Sequence, residues 1–319
     1  MVSVFYSNYK DYRDEHVSAV LRYCNRPANR IYKAAKFDAA VKTYFSPHLS
    51  DMKSLLEASP ETLAKVKKYY DVLPSTTQDL IKTELNLEGL YNYFLQSKFE
   101  RNDGSVYNSG YLAYRIAIPV CPYCNENYTY RFVYPAHPHF RRSYDWDHIH
   151  NKDHYPFFAI SFFNLVPSCK VCNFIKLNQN QNFLNPHLEV NTDTLFSFHF
   201  GALDLGFLQN EDSIKLFILY YKNTPYFHEI KNTVGMAGLL ARFSKHKSLI
   251  KDIINRQRIY PPEYLATLPT FSGQIPDPNT ASRLRETFFS TVFNHEGYYL
   301  RPFSKLTNDI LRRLERDLY

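Results

Sequence analysis

The sequence predicts an α+β protein with three parts: a helical N-terminal region (1–117), a central core of strands and one helix (118–190), and a mixed, mainly helical C-terminal region (191–319). Three observations support this prediction. Apolar residues recur at three- and four-residue spacing in both flanking regions, which is typical of helices packed on a core. Short β-branched and aromatic segments in the centre favour strands. Two Cys-x-x-Cys pairs enclose these central segments.

The N-terminal region is predicted to form four helices, because apolar side chains keep helical spacing through each of them. Their predicted ranges are 11–23, 30–44, 60–72 and 75–100. Ser59 followed by Pro60 is typical of a helix start, with a capping hydroxyl before a proline in the first turn. The segment Ser75-Thr76-Thr77 is a similar start for the fourth helix. We interpret the tyrosines and phenylalanines here as core side chains rather than as a platform for stacking bases.

The central core is predicted to run strand, long loop, strand, helix. Residues 128–134 alternate and are β-branched or aromatic, and residues 140–148 form a second strand that ends on an Asp-His pair. A loop over 149–163 leads to a short return strand at 164–166. The second cysteine pair then opens a helix that continues to about Asn180.

The C-terminal region mixes both element types. Strands are predicted at 196–200 and 214–221, and helices at 226–259, 279–293 and 300–318. The proline pair at 261–262 and a turn-rich segment at 272–278 separate these helices. The sequence contains no internal repeat, so we expect the parts to pack as one body.

Composition excludes several classes of protein. Hydrophobic residues make up 45% of the chain and aromatic residues 17%, which is typical of a packed globular protein rather than a disordered one. No stretch approaches the roughly 20 apolar residues of a membrane span, so no membrane partner is expected. The N-terminus lacks the basic-then-apolar plan of a signal peptide. Together with the paired thiols, this predicts a reducing, cytoplasmic location.

The net charge is +7, from 38 basic and 31 acidic residues, which is compatible with simple solubility or with a nucleic-acid partner. The distribution of the charge favours the second. Arg141, Arg142 and Lys152 lie inside the central core, and Lys170 and Lys176 flank the second cysteine pair. Basic residues around a metal site are what a phosphate backbone requires. A later basic cluster at 245–258 is either a solvated helix face or a further nucleic-acid contact.

Four of the five cysteines form the two pairs, Cys121/Cys124 and Cys169/Cys172. Two thiolates separated by two residues can bind one metal ion, and two such pairs complete a tetrahedral site with no open position. The sequence therefore predicts a structural zinc ion. Disulfides and plain core thiols are the alternatives. Cys24 stands alone on a predicted helix and is interpreted as an inert core thiol.

Asp147, His148 and Asn173 form a group with the chemistry of a nuclease. Phosphodiester hydrolysis requires a base that deprotonates water and a cation that neutralises charge on the leaving oxygen. Histidine suits the base role because its ordinary pKa of about 6.5 leaves it mostly neutral in the cytoplasm. A carboxylate and an amide oxygen are suitable ligands for Mg²⁺, which keeps several of its waters.

The central region resembles the HNH endonuclease family. The matching pattern is Cys-x-x-Cys, Asp-His, Lys-x-x-Tyr-Pro and Asn-Leu-x-Pro-x-Cys-x-x-Cys-Asn-x-x-Lys, in that order. Its elements stand at Cys121/Cys124, Asp147-His148, Lys152, Tyr155-Pro156, Asn164-Leu165-Val166-Pro167, Cys169/Cys172-Asn173 and Lys176. The resemblance covers residues 118–190 and is specific, because a chance match to all of these elements is very improbable.

The resemblance implies a ββα-metal fold with His148 as general base. It implies that Asn164 orients that imidazole and its loop, and that Asp147 and Asn173 bind a catalytic Mg²⁺ or Mn²⁺. Many members carry His where this chain has Asn173; this common variant affects metal preference and rate more than activity. The Lys-Tyr-Pro loop, the Asn-Pro pair at 185–186 and the helical C-terminus are loosely similar to HNH effectors of bacterial anti-phage systems such as Septu, which often act beside an ATPase.

Candidate substrate contacts surround this group. They are Lys152, Tyr155, Lys176, Arg141 and Arg142.

Lys152 is predicted to meet a phosphate of the cleaved strand, with a solvated lysine as the alternative. Asp145 is either a second metal ligand or a partner of Arg141 or Arg142. His150 and His154 either touch phosphate or metal, or are ordinary loop residues.

The functional hypothesis is a metal-dependent endonuclease that hydrolyses nucleic acid, DNA favoured over RNA, as an anti-phage defence effector. The alternative is a catalytically inactive, zinc-stabilised nucleic-acid-binding or scaffold module. The presence of the base, the orienting Asn and both metal ligands favours the enzyme.

Overall fold

The computed structural model describes residues 2–4, 8–133, 140–177, 179, 181–271 and 278–317. The chain forms two compact units. The N-terminal unit consists of Tyr6–Ile118 and Thr129–Gln181, and the C-terminal unit consists of Met1–Phe5, Pro119–Tyr128 and Asn182–Tyr319. The fold is mixed α+β with small antiparallel strand pairs, which confirms the predicted class at that level. The predicted boundaries of the three regions stay predictions.

The N-terminal unit contains eight of the described helices and six short strands. The helices are α1 (Tyr9–Cys24), α2 (Ala34–Phe45), α3 (Met52–Leu56), α4 (Pro60–Asp71), α5 (Ser75–Glu84), α6 (Glu88–Leu95), α7 (Ser109–Ile116) and α8 (Lys170–Lys176). The strands are β1 (Phe99–Glu100), β2 (Val106–Tyr107), β3 (Arg131–Val133), β4 (Phe140–Arg142), β5 (Tyr144–His148) and β6 (Leu165–Cys169).

The predicted strand–loop–strand–helix order is present in this unit as β5, β6 and α8. β5 and β6 pair antiparallel, with Tyr144 opposite Cys169 and His148 opposite Leu165. The chain passes from β6 directly into α8, so the second cysteine pair sits at the junction of strand and helix. The ends predicted at Tyr134 and Asn180 lie outside the described residues.

Local signals placed the starts of α4 and α5 at the predicted residues, but the cap predicted from Ser75-Thr76-Thr77 is wrong, because Pro74 precedes α5 and no side chain of the described residues caps it. The Ser59 hydroxyl accepts a hydrogen bond from the Thr62 backbone N–H at 3.2 Å, and Pro60 occupies the first turn of α4. The single helix predicted over 75–100 is wrong, because the chain leaves the helix at Leu85 and re-enters it at Glu88. Between these points the Leu87 N–H donates to the Pro156 carbonyl at 3.2 Å, so a tertiary contact replaces the helical one.

The C-terminal unit contains one hairpin and six helices among its described residues. These are β7 (Phe196–Ala202), β8 (Ile214–Tyr220), α9 (Phe227–Met236), α10 (Leu239–Phe243), α11 (Lys247–Ile259), α12 (Pro262–Phe271), α13 (Pro278–Phe289) and α14 (Ser304–Asp317). The long helix predicted over 226–259 is three helices. Gly238 adopts a positive φ of 60° between α9 and α10, and residues 244–246 separate α10 from α11. α12 was missed because its proline pair resembles a break, yet Pro262 lies at the first helical position, where proline is favoured.

An ionic network holds α14 in the C-terminal unit. The Lys305 ammonium is buried and lies 2.6 Å from both carboxylate oxygens of Asp309 and 3.0 Å from Asp193. Asp309 also accepts the Phe198 N–H at 2.8 Å, which joins α14 to β7. Within the described part of the chain, no helix has both the length and the apolar character that a bilayer span requires. The predicted turn-rich segment at 272–278 lies outside the described residues, apart from its last position.

Candidate metal centre and adjoining cleft

The four paired cysteines come together in the structure. The sulfur atoms of Cys121, Cys124, Cys169 and Cys172 all lie within 4.8 Å of one another, and all four residues are buried. Sulfurs that share a tetrahedral zinc ion are about 3.8 Å apart, given a Zn–S distance of about 2.3 Å. The cluster is therefore of the right size and chemistry to hold a metal ion. No disulfide joins any of the five cysteines, all of which lie within the described ranges, so the disulfide alternative is not the arrangement seen.

Local backbone geometry prepares these thiols for a metal. Cys169 caps α8, and its sulfur accepts a hydrogen bond from the Cys172 N–H at 3.5 Å. In the other pair, the Asn125 N–H donates to the Cys121 carbonyl at 2.8 Å, and Asn125 takes a positive φ of 52° to close the turn. Cys24 lies outside the cluster, and burial raises the pKa of its thiol to about 12, as expected for an inert core cysteine.

A cleft of about 250 Å³ lies beside the C-terminal end of β5. It is lined by Tyr91, Trp146, Asp147, His148, Asn151, Lys152, Asp153, Asn173 and Leu177. The structure thus brings the predicted base and both predicted ligands of the catalytic ion, which lie on β5 and α8, to one concave surface.

His148 is buried at the end of β5, with its Nε2 atom 2.9 Å from the Ala159 carbonyl. A carbonyl only accepts hydrogen bonds, so Nε2 carries the proton and Nδ1 carries the lone pair. Burial lowers the pKa of His148 to about 4, so the ring is neutral near pH 7. A neutral imidazole with a defined lone-pair nitrogen has the form that a general base requires.

Asn164 acts on the loop through backbone atoms at both of its ends. Its side-chain oxygen accepts the His150 N–H at 2.7 Å, and its amide donates to the carbonyls of Phe158 at 2.9 Å and His150 at 3.1 Å. Phe158 precedes the residue that bonds His148. Asn164 is therefore placed to support the imidazole indirectly, by holding the loop that contacts the ring.

Asp147 and Lys176 form a buried ion pair. The Lys176 ammonium lies 3.0 Å from Asp147 Oδ1 and also donates to the His148 carbonyl. Lys176 is 1% exposed. A phosphate would have to compete with Asp147 to reach this ammonium, so its predicted role as a substrate contact stays a prediction. A carboxylate can accept several bonds, which makes the pair compatible with a further ligand on Asp147.

The other predicted substrate contacts have different surroundings. Tyr155 is buried, and its hydroxyl donates to Asp71 at 2.8 Å. Lys152 is partly exposed, lines the cleft and lies 2.9 Å from Asp153. Arg141 is exposed on β4. Arg142 lies 3.8 Å from Asp145, so Asp145 pairs with an arginine, which is one of the two roles predicted for it. Their contacts with substrate stay predictions.

The structure also shows the surroundings of the two neighbouring histidines, His150 and His154. The His150 ring packs against Tyr155 and Phe158, and burial lowers its pKa to about 3. His154 is exposed and lies beside the Tyr155 ring. In the later basic cluster, Lys251 donates to the Gln209 carbonyl at 2.8 Å within the C-terminal unit.

Sequence reasoning missed two aromatic residues of the cleft. The Tyr91 ring meets the His148 ring edge-on, with centroids 4.6 Å apart, and Tyr91 belongs to α6 rather than to the motif. Trp146 Nε1 is buried and has no hydrogen-bond partner within the described ranges. The sequence analysis placed Trp146 within the predicted strand 140–148 without a role, and it interpreted the tyrosines of the N-terminal region, Tyr91 among them, as core side chains.

Among the described residues, the four cysteines are the one group of three or more Cys, His, Asp or Glu side chains placed to hold a metal ion. The predicted Mg²⁺ site has only one such side chain, Asp147, together with the amide of Asn173, so this observation does not test it. No family model, no curated protein and no solved structure matches the chain.

A buried histidine of α1 makes stability depend on pH. Burial lowers the pKa of His16 to about 4, so the unfolded chain binds a proton that the folded chain does not as pH falls from 7 to 5. The contribution of the neutral His16 side chain to the free energy of unfolding is fully present above its unfolded-state pKa of about 6.5. It is lost as the pH falls toward its folded-state pKa of about 4. We expect urea unfolding of the wild type to lose about 2 kcal/mol more between pH 7 and 5 than unfolding of His16→Gln.

The exposed His48 supplies the control for this prediction. His48→Gln should keep the pH dependence of the wild type. Equal pH dependence in His16→Gln and the wild type would contradict the prediction.

Proposed function

We propose that this chain is a metal-dependent endonuclease of the HNH type that hydrolyses phosphodiester bonds, with DNA favoured over RNA. The observation that carries the proposal is the shared cleft of Asp147, His148 and Asn173, in which His148 has its lone pair on Nδ1. A base, a carboxylate and an amide on one surface match the needs of phosphodiester hydrolysis.

The four-cysteine cluster is proposed to hold a structural Zn²⁺. All-cysteine tetrahedral sites are closed, so the ion has no position for substrate or water. Its role is to hold the start of α8, and with it Asn173, at a constant place relative to β5. The support for this proposal is the mutual distance and burial of the four sulfurs.

Asp147 and Asn173 would hold the catalytic Mg²⁺ or Mn²⁺. When bound, such an ion neutralises the charge that develops on the leaving oxygen. The protein side of the reaction belongs to His148, whose Nδ1 accepts a proton from the attacking water. The ring keeps its orientation during this step because Nε2 stays bonded to the Ala159 carbonyl.

We further propose that the enzyme serves as an anti-phage defence effector and works with an ATPase or another defence subunit. The support is the loose resemblance of the Lys-Tyr-Pro loop, of the Asn185-Pro186 pair and of the helical C-terminus to Septu-type effectors. Reconstitution with and without a candidate ATPase tests this part separately.

The primary test is a cleavage assay with purified protein. Supercoiled plasmid, linear duplex, single-stranded DNA and total RNA are each incubated with Mg²⁺, Mn²⁺ or no added ion. We expect ion-dependent cleavage, faster on DNA than on RNA. Binding without cleavage under every condition, even with the partner ATPase, would favour the inactive binding or scaffold module instead.

Activity is expected to depend on a second, labile ion. EDTA at a concentration too low to remove the thiolate-bound zinc should abolish cleavage, and Mg²⁺ or Mn²⁺ should restore it. Asp147→Asn should lower activity and raise the ion concentration needed for half-maximal rate, while keeping an acceptor for the buried Lys176 ammonium.

Asn173→Ala should shift the same ion requirement, because it removes the second proposed ligand. Zinc content measured before and after EDTA is the control for the cysteine site. Unchanged ion dependence in both variants would remove the ligand assignment while leaving the zinc proposal in place.

A further inference from the structure

Three consecutive backbone carbonyls in the loop between β5 and β6 are each held by a side chain. Asn164 donates to the Phe158 carbonyl, His148 to the Ala159 carbonyl and His16 to the Ile160 carbonyl, each at 2.9 Å. The first two side chains belong to the HNH-like motif. The third lies on α1, 144 residues before its partner, and no motif element includes it.

His16 has the geometry of a fixed support. It is fully buried, and its Nδ1 atom lies 3.0 Å from the Tyr107 hydroxyl. Because the Ile160 carbonyl only accepts, Nε2 of His16 is the donor and Nδ1 is the acceptor. Tyr107, also buried, therefore donates to His16, and this bond selects the tautomer that can bind the loop.

Adjacent carbonyls on a backbone are not independent. The peptide planes that carry the Ala159 and Ile160 carbonyls meet at the Ile160 Cα, and two torsions there set their relative rotation. Fixing the Ile160 carbonyl limits the rotation of the preceding plane. That plane carries the oxygen that accepts from His148, so His16 restrains the direction in which the His148 ring is held.

The rest of the loop is also tied to the N-terminal helices. The Ser161 hydroxyl donates to the Leu55 carbonyl at 2.9 Å, and the Tyr155 hydroxyl donates to Asp71 at 2.8 Å. These bonds keep the loop close to α3 and α4. Among these three bonds to residues of the N-terminal helices, only the His16 bond is to a carbonyl next to the one that contacts the imidazole.

We propose that His16 and Tyr107 are positioning residues for His148, acting through the Ala159–Ile160 backbone to hold the imidazole in one tautomer and one direction. This proposal rests on the proposed nuclease function for its purpose. Its structural content, a relay from Tyr107 through His16 and the loop to His148, can be tested without any nuclease activity. It also makes α1 and β2 part of the catalytic unit, not an accessory arm.

The test is nitrogen NMR of the full-length, zinc-loaded protein labelled at histidine, at one pH near 7.5. The His148 signals are assigned by their absence in His148→Gln. In the wild type we expect a single Nε2–H tautomer of His148 with slow exchange of that proton. In His16→Leu we expect mixed tautomers and proton exchange at least tenfold faster, because the Ile160 carbonyl has lost its donor.

His16→Gln is the conservative rescue variant, because its amide can still donate to the Ile160 carbonyl. It should restore most of the wild-type His148 signal. Tyr107→Phe keeps the shape of the ring and removes only the bond to His16, so it decides the question if His16→Leu fails to fold. We expect Tyr107→Phe to change His148 in the same direction as His16→Leu.

Kinetics provide the second measurement where the wild type cleaves. A shift of about 1 Å in a reacting group can cost about 10²-fold in rate, so kcat should fall up to that factor in His16→Leu while KM stays near the wild-type value. A single unchanged His148 tautomer with unchanged exchange, in a folded His16→Leu or Tyr107→Phe protein, would overturn the relay. Perturbed His148 signals in a chain whose wild type cuts nothing would support the relay and contradict the nuclease.

Discussion

Cys169→Ser is expected to abolish metal binding at the cysteine cluster and to unfold at least the chain around α8. Cys169 contributes one of four clustered sulfurs, and serine removes that sulfur while its hydroxyl can still cap α8 by accepting the Cys172 N–H, so the variant isolates the loss of the metal ligand. Structural zinc contributes about 10–16 kcal/mol of apparent binding free energy in zinc-finger peptides, which is as much as a whole domain's stability. Elemental analysis and circular dichroism of the purified variant would measure both effects.

The matched control is Cys24→Ala, which removes a buried thiol that lies outside the cluster. It should keep the full zinc content and lose only about 1 kcal/mol of stability, because a buried cysteine behaves as a small hydrophobe. Active, freshly purified wild-type protein that contains no zinc would contradict the assignment of the cluster.

His148→Gln is expected to lose cleavage by about 10²–10⁴-fold, the usual cost of removing a positioned general base. Glutamine can still donate to the Ala159 carbonyl, so the loop contact can survive while the base is lost. This variant separates the loss of the base from a loss of stability better than His148→Ala does. His148→Ala would also leave the buried Ala159 carbonyl unpaired, at a cost of about 1–3 kcal/mol. Single-turnover cleavage rates, zinc content and nucleic-acid affinity would be compared with the wild type.

His154→Gln is the control, because His154 is an exposed histidine of the same loop. It should cleave at a rate close to that of the wild type. Equal rates for His148→Gln and the wild type with the same ion would show that the HNH mechanism is wrong for this chain.

Much of the candidate metal centre was predictable from the sequence. The spacing of the two Cys-x-x-Cys pairs identifies four candidate metal ligands, and the structure clusters all four sulfurs. The strand–loop–strand–helix order was also predictable, because alternation and helical spacing are local patterns. The Ser59–Pro60 helix start follows from chemistry within a single turn.

The parts of the site that depend on distant contacts were not predictable. Residues 155–169 are buried without interruption, although the sequence predicts most of them as an ordinary loop. The surrounding N-terminal helices contact this segment through His16 and the Leu55 carbonyl, and they contact His148 through Tyr91. Periodicity reports which face of an element is apolar, but it carries no information about which partner covers that face.

The ion pair of Lys176 also shows the difference between what the local sequence predicts and what distant contacts decide. Spacing placed Lys176 beside the second cysteine pair as a basic residue available to phosphate. The structure buries its ammonium against Asp147, 29 residues earlier in the chain, and the predicted contact with phosphate stays a prediction. The sequence by itself determined which chemical groups are present and how they are ordered. Only the tertiary structure decided which of these groups are buried and which groups they contact. The physical reason is that a buried charge is tolerated only where the fold brings its partner within hydrogen-bonding distance.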